Sequence, residues 1–71
     1  MFKLINSFEK LGYSLRYSDE SSILLSNFLD DIICIELHDC TVIKYWCDSP
    51  VPFDFSEILL LSDFFTRYLN D

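Results

Sequence analysis

The spacing of hydrophobic positions changes from helical to alternating at Gly12. Before this glycine, apolar residues recur every three or four positions and predict an amphipathic helix over residues 2–11; they are Phe2, Leu4, Ile5, Phe8 and Leu11. Gly12 follows the last of them, at the position where a left-handed residue commonly ends a helix. We therefore expect the helix to stop at Leu11 and a sheet to begin.

Two short strands are predicted next. Hydrophobic and polar residues alternate over residues 13–18, which predicts a half-exposed strand with Tyr13, Leu15 and Tyr17 on one face. A polar, serine-rich run then supplies a turn, and Ile23–Phe28 provides the second strand of a hairpin.

Asp30 and Asp31 mark the following break. Two adjacent carboxylates could suggest a metal site or an acid–base pair. Neighbouring residues of a strand point to opposite faces, however, so a solvated turn is the better interpretation.

Residues 31–47 predict a second hairpin, for which two registers are plausible. In the first, Asp39 and Cys40 form a two-residue turn and Leu37 faces Val42. That turn normally requires glycine or asparagine at positive φ, and cysteine is a poor substitute.

In the second register, which we favour, Asp39–Thr41 form a three-residue loop. Glu36 then faces Lys44 as a cross-strand ion pair, and Cys34 faces Trp46 on the same outer face. The opposite face becomes wholly apolar, with Ile33, Ile35, Leu37, Ile43, Tyr45 and Cys47.

The C-terminal part of the chain predicts a stiff connector and a capped helix. Two prolines prevent residues 48–53 from forming a strand or a helix interior. Asp54 is placed as an N-cap with Glu57 at the capping-box position, and Phe53 and Ile58 are spaced as a hydrophobic staple. The helix stripe comprises Ile58, Leu60, Leu61, Phe64, Phe65, Tyr68 and Leu69, and it leaves Leu59 partly exposed.

These elements predict a single α+β domain over residues 1–71, with the order αββββα. Both helices need an apolar surface to cover, and the four-stranded antiparallel sheet has one, so a two-layer sandwich is the simplest arrangement. The order of the strands within the sheet does not follow from the pattern.

Composition and charge favour a protein partner over nucleic acid or membrane. The formal net charge is −7, with only five basic residues against twelve acidic ones, so binding to phosphate backbones or anionic lipid is disfavoured. Half of the residues (51%) are hydrophobic, which is more than a small core hides easily. We expect the excess to face another protein or a second copy of the chain.

The cysteines and the histidine do not form a recognisable chemical site. Cys34, His38, Cys40 and Cys47 lack the CxxC spacing of zinc knuckles, and the favoured register separates Cys34 from Cys47. A Cys40–His38 nucleophile would lack glycine-rich loops and an oxyanion pocket. We therefore expect no cofactor and no enzymatic activity, with reduced thiols in the cytoplasm of a bacterial host.

Acidic turns and the outer face of the second hairpin are the candidate partner-binding surface. The candidate residues are Asp19, Glu20, Asp30, Asp31, Glu36, Asp39, Lys44, Trp46 and Asp48. An exposed tryptophan ringed by charge is typical of a protein contact, although Trp46 could instead be covered by its own chain.

The layout of FEKLGY (8–13), IEL (35–37), TVIKY (41–45) and a capped final helix is similar to small phage and mobile-element proteins, among them anti-CRISPR and other anti-defence inhibitors. The resemblance implies an inhibitor of a larger, basic or nucleic-acid-binding protein, with possible nucleic-acid mimicry, and it transfers no functional residue. A homodimeric assembly module, packed through the sheet face or the last helix, is the alternative. An immunity or antitoxin protein that neutralises a nuclease would use the same physics as the inhibitor.

Overall fold

The structure, a computed structural model, describes residues 2–70 as two helices and a five-stranded antiparallel sheet. In chain order the elements are α1 (Phe2–Lys10), β1 (Tyr13–Ser18), β2 (Ser22–Asn27), β3 (Ile32–Glu36), β4 (Thr41–Trp46), β5 (Ser49–Pro50) and α2 (Phe55–Asn70). The strands follow one another as a meander, β1-β2-β3-β4-β5. The α+β class and the helix–sheet–helix order are confirmed, and the strand count is five, not four.

Both helices pack on the same face of the sheet. Leu4 and Phe8 of α1 and Leu61 of α2 join the inward-facing residues of the strands in one core, together with Tyr13, Ile23, Leu25, Ile33, Ile35 and Leu37. Phe8 and Tyr13 meet edge to face, with ring centroids 5.5 Å apart. Over residues 2–70, neither helix has the length and apolarity needed to cross a membrane.

The end of α1 follows the predicted signal. Gly12 has a φ of 98°, a conformation that residues with a Cβ rarely adopt, and its N–H donates to the carbonyl of Glu9. The helix ends at Lys10, one residue earlier than predicted, and Leu11 is exposed.

A bulge in β1 makes the observed alternation of this strand differ from the predicted one. Leu15 pairs with Leu25, but Tyr17 pairs with Leu24, so the register shifts at Arg16. A bulge places two residues opposite one and reverses the alternation beyond it. Tyr17 therefore lies on the face opposite to Tyr13 and Leu15.

The second strand is also displaced from its prediction: it ends at Asn27, and Phe28 is 86% exposed in the loop.

Both predicted registers of the β3–β4 hairpin are wrong. Cys34 pairs with Ile43 and Ile35 with Val42, so the connecting loop is the four-residue segment 37–40. The Cys40 N–H donates to the Leu37 carbonyl, and Cys40 takes a left-handed φ of 52°. The four-residue loop closes the hairpin with one left-handed residue, whereas a two-residue turn would require two.

This register changes which residues share a face. Val42 and Lys44 lie on the inner face with Ile33 and Ile35, whereas Ile43 and Tyr45 lie on the outer face. The rejected two-residue turn would have assigned these faces correctly, because it differs from the true register by an even number of residues.

The proline-containing connector also contributes a strand, contrary to the prediction. β5 pairs with the end of β4 through Tyr45–Pro50 and Trp46–Ser49, and the Val51 N–H donates to the Lys44 carbonyl. Pro50 is tolerated because β5 is an edge strand, where one side of the backbone needs no partner.

The start of α2 keeps the predicted cap. Glu57 Oε1 accepts from the Asp54 N–H at 2.8 Å, which is the capping-box bond from the third helical residue to the N-cap. Leu59 is 54% exposed, as predicted, but Ile58, placed in the buried stripe, is 49% exposed. Phe53 packs against the core.

Candidate protein-interaction surface

The face of the sheet turned away from the helices is apolar and uncovered. We call it the open sheet face and define it by Tyr17, Leu24, Ile32, Cys34, Ile43 and Tyr45, which the strand pairings place on the outer side. Ile43 is 57% and Tyr17 54% exposed, and the other four are partly buried against one another. Few monomeric surfaces group large apolar side chains in this way without a partner.

The β1 side of the open sheet face is held by polar contacts. Arg16 Nε donates to Ser26 Oγ at 2.6 Å, which orders the arginine across two strands. The Tyr17 hydroxyl donates to Asp19 Oδ2 at 2.6 Å, and Asp19 Oδ1 accepts from the backbone N–H groups of Ser21 and Ser22, both at 2.8 Å. These donors, Tyr17 first, hold the pKa of Asp19 well below its usual value, so that this carboxylate stays charged.

Cys34 lies in the middle of the open sheet face as a protonated thiol. Burial, and next the neighbouring charge of Glu36, raise its pKa above the ordinary value. Its Sγ lies 3.8 Å from Glu36 Oε1. A thiol in this state packs as a small apolar group and is a weak nucleophile.

Carboxylates frame the open sheet face at both ends. One group lies where the β1–β2 and β3–β4 loops meet, and it comprises Asp19 and Glu20, Asp39, and Glu36 at the end of β3. The Leu37 N–H donates to the Ser21 carbonyl at 2.7 Å and joins the two loops. The β2–β3 loop and the β4–β5 turn bring Asp30, Asp31 and Asp48 to the other end. Strands of five or six residues separate the two groups by roughly 17–20 Å.

Side-chain bonds fix the acidic loop between β2 and β3. Asn27 Oδ1 accepts from the N–H groups of Leu29 and Asp31, both at 3.0 Å, and Asn27 Nδ2 donates to Asp31 Oδ2 at 3.1 Å. Asp30 takes a left-handed φ of 65°. The turn predicted for Asp30 and Asp31 is confirmed, and the loop presents its two carboxylates in one defined arrangement.

The helical layer has a different charge from the sheet. Lys3, Lys10 and Arg67 line the groove between α1 and α2, a concavity of about 760 Å³ with Leu60 and Phe64 among its apolar residues. Glu9, Asp54 and Asp63 of the same layer match these cations in number, and a fourth acidic residue, Glu57 of α2, is paired with Lys44 of β4. The excess negative charge of the described residues therefore belongs to the sheet and its loops.

A buried ion pair links the sheet to α2. Lys44 Nζ donates to Glu57 Oε1 at 2.8 Å, and the Tyr13 hydroxyl donates to Glu57 Oε2 at 2.5 Å. Lys44 is 6% and Glu57 3% exposed. Burial alone would raise the pKa of Glu57, but the bonds from Lys44, Tyr13 and Asp54 outweigh it and hold this pKa below its usual value. Burial, then the bond to Glu57, raise the pKa of Tyr13.

The predicted Glu36–Lys44 pair is therefore wrong, and Lys44 is not on the candidate surface. Glu36 lies on the outer face and Lys44 on the inner one, since Glu36 pairs with Thr41 and Ile33 with Lys44. Lys44 is buried under α2 and cannot touch a partner in this conformation.

Trp46 is not on the predicted outer face either. It follows Val42 and Lys44 along the inner side of β4, and it is 49% exposed. Its chain neighbours Cys47 and Asp48 form the turn into β5. Trp46 thus belongs to an edge of the molecule and not to the open sheet face.

The residues considered for metal or nucleophilic chemistry are dispersed. Cys40 and His38 lie in the β3–β4 loop, Cys47 lies in the turn at the opposite end of β4, and Cys34 lies between the two ends. Within residues 2–70, no three histidine, cysteine or acidic side chains group closely enough to hold a metal ion.

Sequence reasoning located the acidic residues of this surface but missed its apolar centre. Tyr17 was predicted on the same face as Tyr13 and Leu15, because the bulge at Arg16 leaves no sign in the hydrophobic alternation. Ile43 and Tyr45 were predicted inside, because the register was displaced. Charge was the signal that could have identified the correct register. If Lys44 faces inward it needs a carboxylate partner, and Glu57 of α2 supplies one.

Comparison of the chain with protein-family models, curated proteins and solved structures finds no match in any of the three.

Proposed function

We propose that this chain is a small acidic interaction protein that binds and inhibits a larger, basic or nucleic-acid-binding protein through its open sheet face. The observation that carries the proposal is the combination of an uncovered apolar centre, Ile43 and Tyr17 foremost, with carboxylates at both ends. An apolar core within a polar rim is the usual anatomy of a protein interface.

The negative charge at both ends of the open sheet face defines the chemistry of the partner. Seven carboxylates lie at the two ends of the open sheet face. Among residues 2–70, Arg16 is the one basic residue on the outer side of the sheet, and its guanidinium is bonded to Ser26. A complementary partner carries lysine or arginine around an apolar centre, as proteins that bind phosphate backbones do. Long-range attraction would speed such an encounter, and salt would weaken it.

Inhibition by occlusion is the mechanism that fits this surface. The chain measures 34 × 22 × 20 Å, which is large enough to cover a nucleic-acid site on its target. The charges would occupy positions that phosphates otherwise fill, and the apolar centre would add affinity that salt does not remove. Within this proposal the chain acts as an anti-defence inhibitor of the anti-CRISPR type.

The test is capture from a bacterial lysate by the immobilised protein, in low and high salt, with and without competing double-stranded DNA. We expect basic nucleic-acid-binding proteins to be enriched, to be captured more weakly in high salt and to be displaced by DNA. A captured nuclease should then lose activity when the free protein is added.

Two variants with the same substitution separate this face from the rest of the surface. Ile43→Lys places a charge at the centre of the open sheet face and should abolish capture. Leu59→Lys changes a residue of almost equal exposure (54% against 57%) on α2 and should leave capture intact. Equal capture by Ile43→Lys, or capture that DNA and salt do not affect, would contradict the proposal.

A further inference from the structure

A second apolar surface lies on α2, on the side turned away from α1. Leu60, Asp63, Phe64 and Arg67 line the groove shared with α1, which fixes the rotation of α2 about its axis. With 3.6 residues per turn, the far side then carries a stripe that we call the α2 stripe: Phe55, Ile58, Ser62, Phe65 and Leu69.

The α2 stripe is exposed and uncharged. Phe55 is 74%, Ile58 49% and Leu69 66% exposed, and Phe65 is partly buried. None of the five side chains is ionisable, although the protein as a whole carries a net charge of −7. The charged residues of α2 lie elsewhere: Glu57 is buried, and Asp63 and Arg67 flank the groove.

The order of sizes along the stripe is nearly palindromic. Two large residues, a small one and two large ones follow each other at spacings of three and four, so the stripe reads almost the same in both directions. An antiparallel pair of such stripes about a twofold axis would set Ser62 against its own copy and Ile58 against Phe65. A twofold interface requires this kind of self-complementary pattern.

We infer that the α2 stripe is the interface of a homodimer in which two copies of α2 pack antiparallel. The charge distribution decides for a second copy and against a dimer through the sheet. Paired open sheet faces would bring carboxylate groups of the same sign together, whereas paired α2 stripes meet without charge. The small side chain of Ser62 allows the helix axes to approach closely.

One residue of the α2 stripe, Phe65, is ordered by aromatic neighbours on its own helix. Phe64 and Phe65 meet edge to face at 5.1 Å, and Tyr68 stacks on Phe64 at 5.7 Å. Ordered side chains lose less entropy on association than free ones. The dimer is independent of the proposed inhibitory function, since the two surfaces lie on different layers of the fold.

Sedimentation equilibrium of the full chain tests the inference, with neighbouring substitutions of matched exposure. We expect a dimer for the wild type and for Leu59→Lys, which lies outside the stripe (54% exposed). Ile58→Lys (49% exposed) should raise the dimer Kd by about tenfold or more, because an ammonium group would be buried without a partner. Circular dichroism confirms that both variants fold.

Disulfide cross-linking checks the orientation, in a Cys40→Ser/Cys47→Ser background that removes the exposed thiols. Ser62→Cys should give a covalent dimer on mild oxidation, and Leu59→Cys should not. A monomeric wild type, dissociation by Leu59→Lys but not by Ile58→Lys, or cross-linking through Leu59→Cys in place of Ser62→Cys would each overturn the inference.

Discussion

Lys44 demonstrates at the level of one residue how register decides the environment of a charge. It stands in an alternating strand, so a shift of the hairpin by one residue moves it between the solvent side and the core. In the structure it is buried and paired with Glu57, 13 residues further along the chain. Glu57 in turn satisfies Tyr13 and caps α2, so three elements depend on one carboxylate.

Removing the cation from this pair should destabilise the fold strongly. Lys44→Met leaves Glu57 buried without its countercharge, which typically costs about 3–5 kcal/mol. For a chain of this size the whole free energy of unfolding is on the order of 4–11 kcal/mol. Urea denaturation followed by circular dichroism measures the loss.

Two further variants show whether the unpaired charge is the cause. Lys44→Met/Glu57→Gln should recover much of the stability, because the uncompensated carboxylate is gone and glutamine keeps an oxygen for the Asp54 N–H. Arg67→Met removes a cation from an exposed pair with Asp63 and should change stability little. A double variant no more stable than Lys44→Met alone would exclude this explanation.

At the level of the elements, the hairpin turns use unusual residues in left-handed conformations. Cys47 and Asp48 have φ values of 49° and 64°, which together make the two-residue turn between β4 and β5. Glycine and asparagine are the residues that usually supply two positive φ values. The sequence contains only one glycine, and it is used to end α1.

Replacing this turn by Asn-Gly should therefore stabilise the protein. Cys47→Asn/Asp48→Gly relieves two left-handed residues and should raise the free energy of unfolding by about 1 kcal/mol, with an unchanged denaturant slope. Ser21→Gly is the control, since Ser21 is not among the residues with positive φ and glycine there only adds flexibility to the unfolded chain. A double variant of unaltered stability would show that the turn is not strained.

At the level of the whole molecule, the helical layer and the sheet differ in net charge. The helical layer is balanced and includes the uncharged α2 stripe, whereas the sheet and its loops carry seven carboxylates. The buried Tyr13–Glu57–Lys44 contacts join the two layers across the core. Stability should accordingly depend on pH at both ends of the range.

We expect the free energy of unfolding to fall in acid and again in alkali. The pKa of Glu57 is lowered, so the unfolded chain takes up its proton first and the stabilising contribution is lost as the pH drops below the ordinary value of 4.5. The pKa of Tyr13 is raised, so the unfolded chain loses its proton first and stability falls as the pH rises above 10. Denaturation midpoints across the pH range measure both declines.

Tyr13→Phe isolates the alkaline decline. This variant is less stable at neutral pH, since Glu57 loses a donor, but its stability should vary less above pH 10. Tyr68→Phe, which removes a hydroxyl from an exposed tyrosine, should retain the decline. An alkaline decline of full size in Tyr13→Phe would contradict the assignment.

The amino-acid sequence by itself determined the local features of this protein. Helical spacing and Gly12 predicted α1 and its end, and Asp54 with Glu57 predicted the start of α2, because caps and turns depend on residues close in the chain. The acidic turn at Asp30 and the α+β class followed in the same way.

Only the tertiary structure decided which residues meet across the sheet. The bulge at Arg16 and the four-residue loop before β4 change the pairing from the predicted one, and β5 adds a pairing that was not predicted. The alternating hydrophobic pattern is compatible with several registers, so it does not select among them. These shifts put Tyr17, Ile43 and Tyr45 on the open sheet face and Lys44 in the core. The candidate surface therefore depends on long-range pairing, where Lys44 gains a buried carboxylate that no neighbour in the chain could provide.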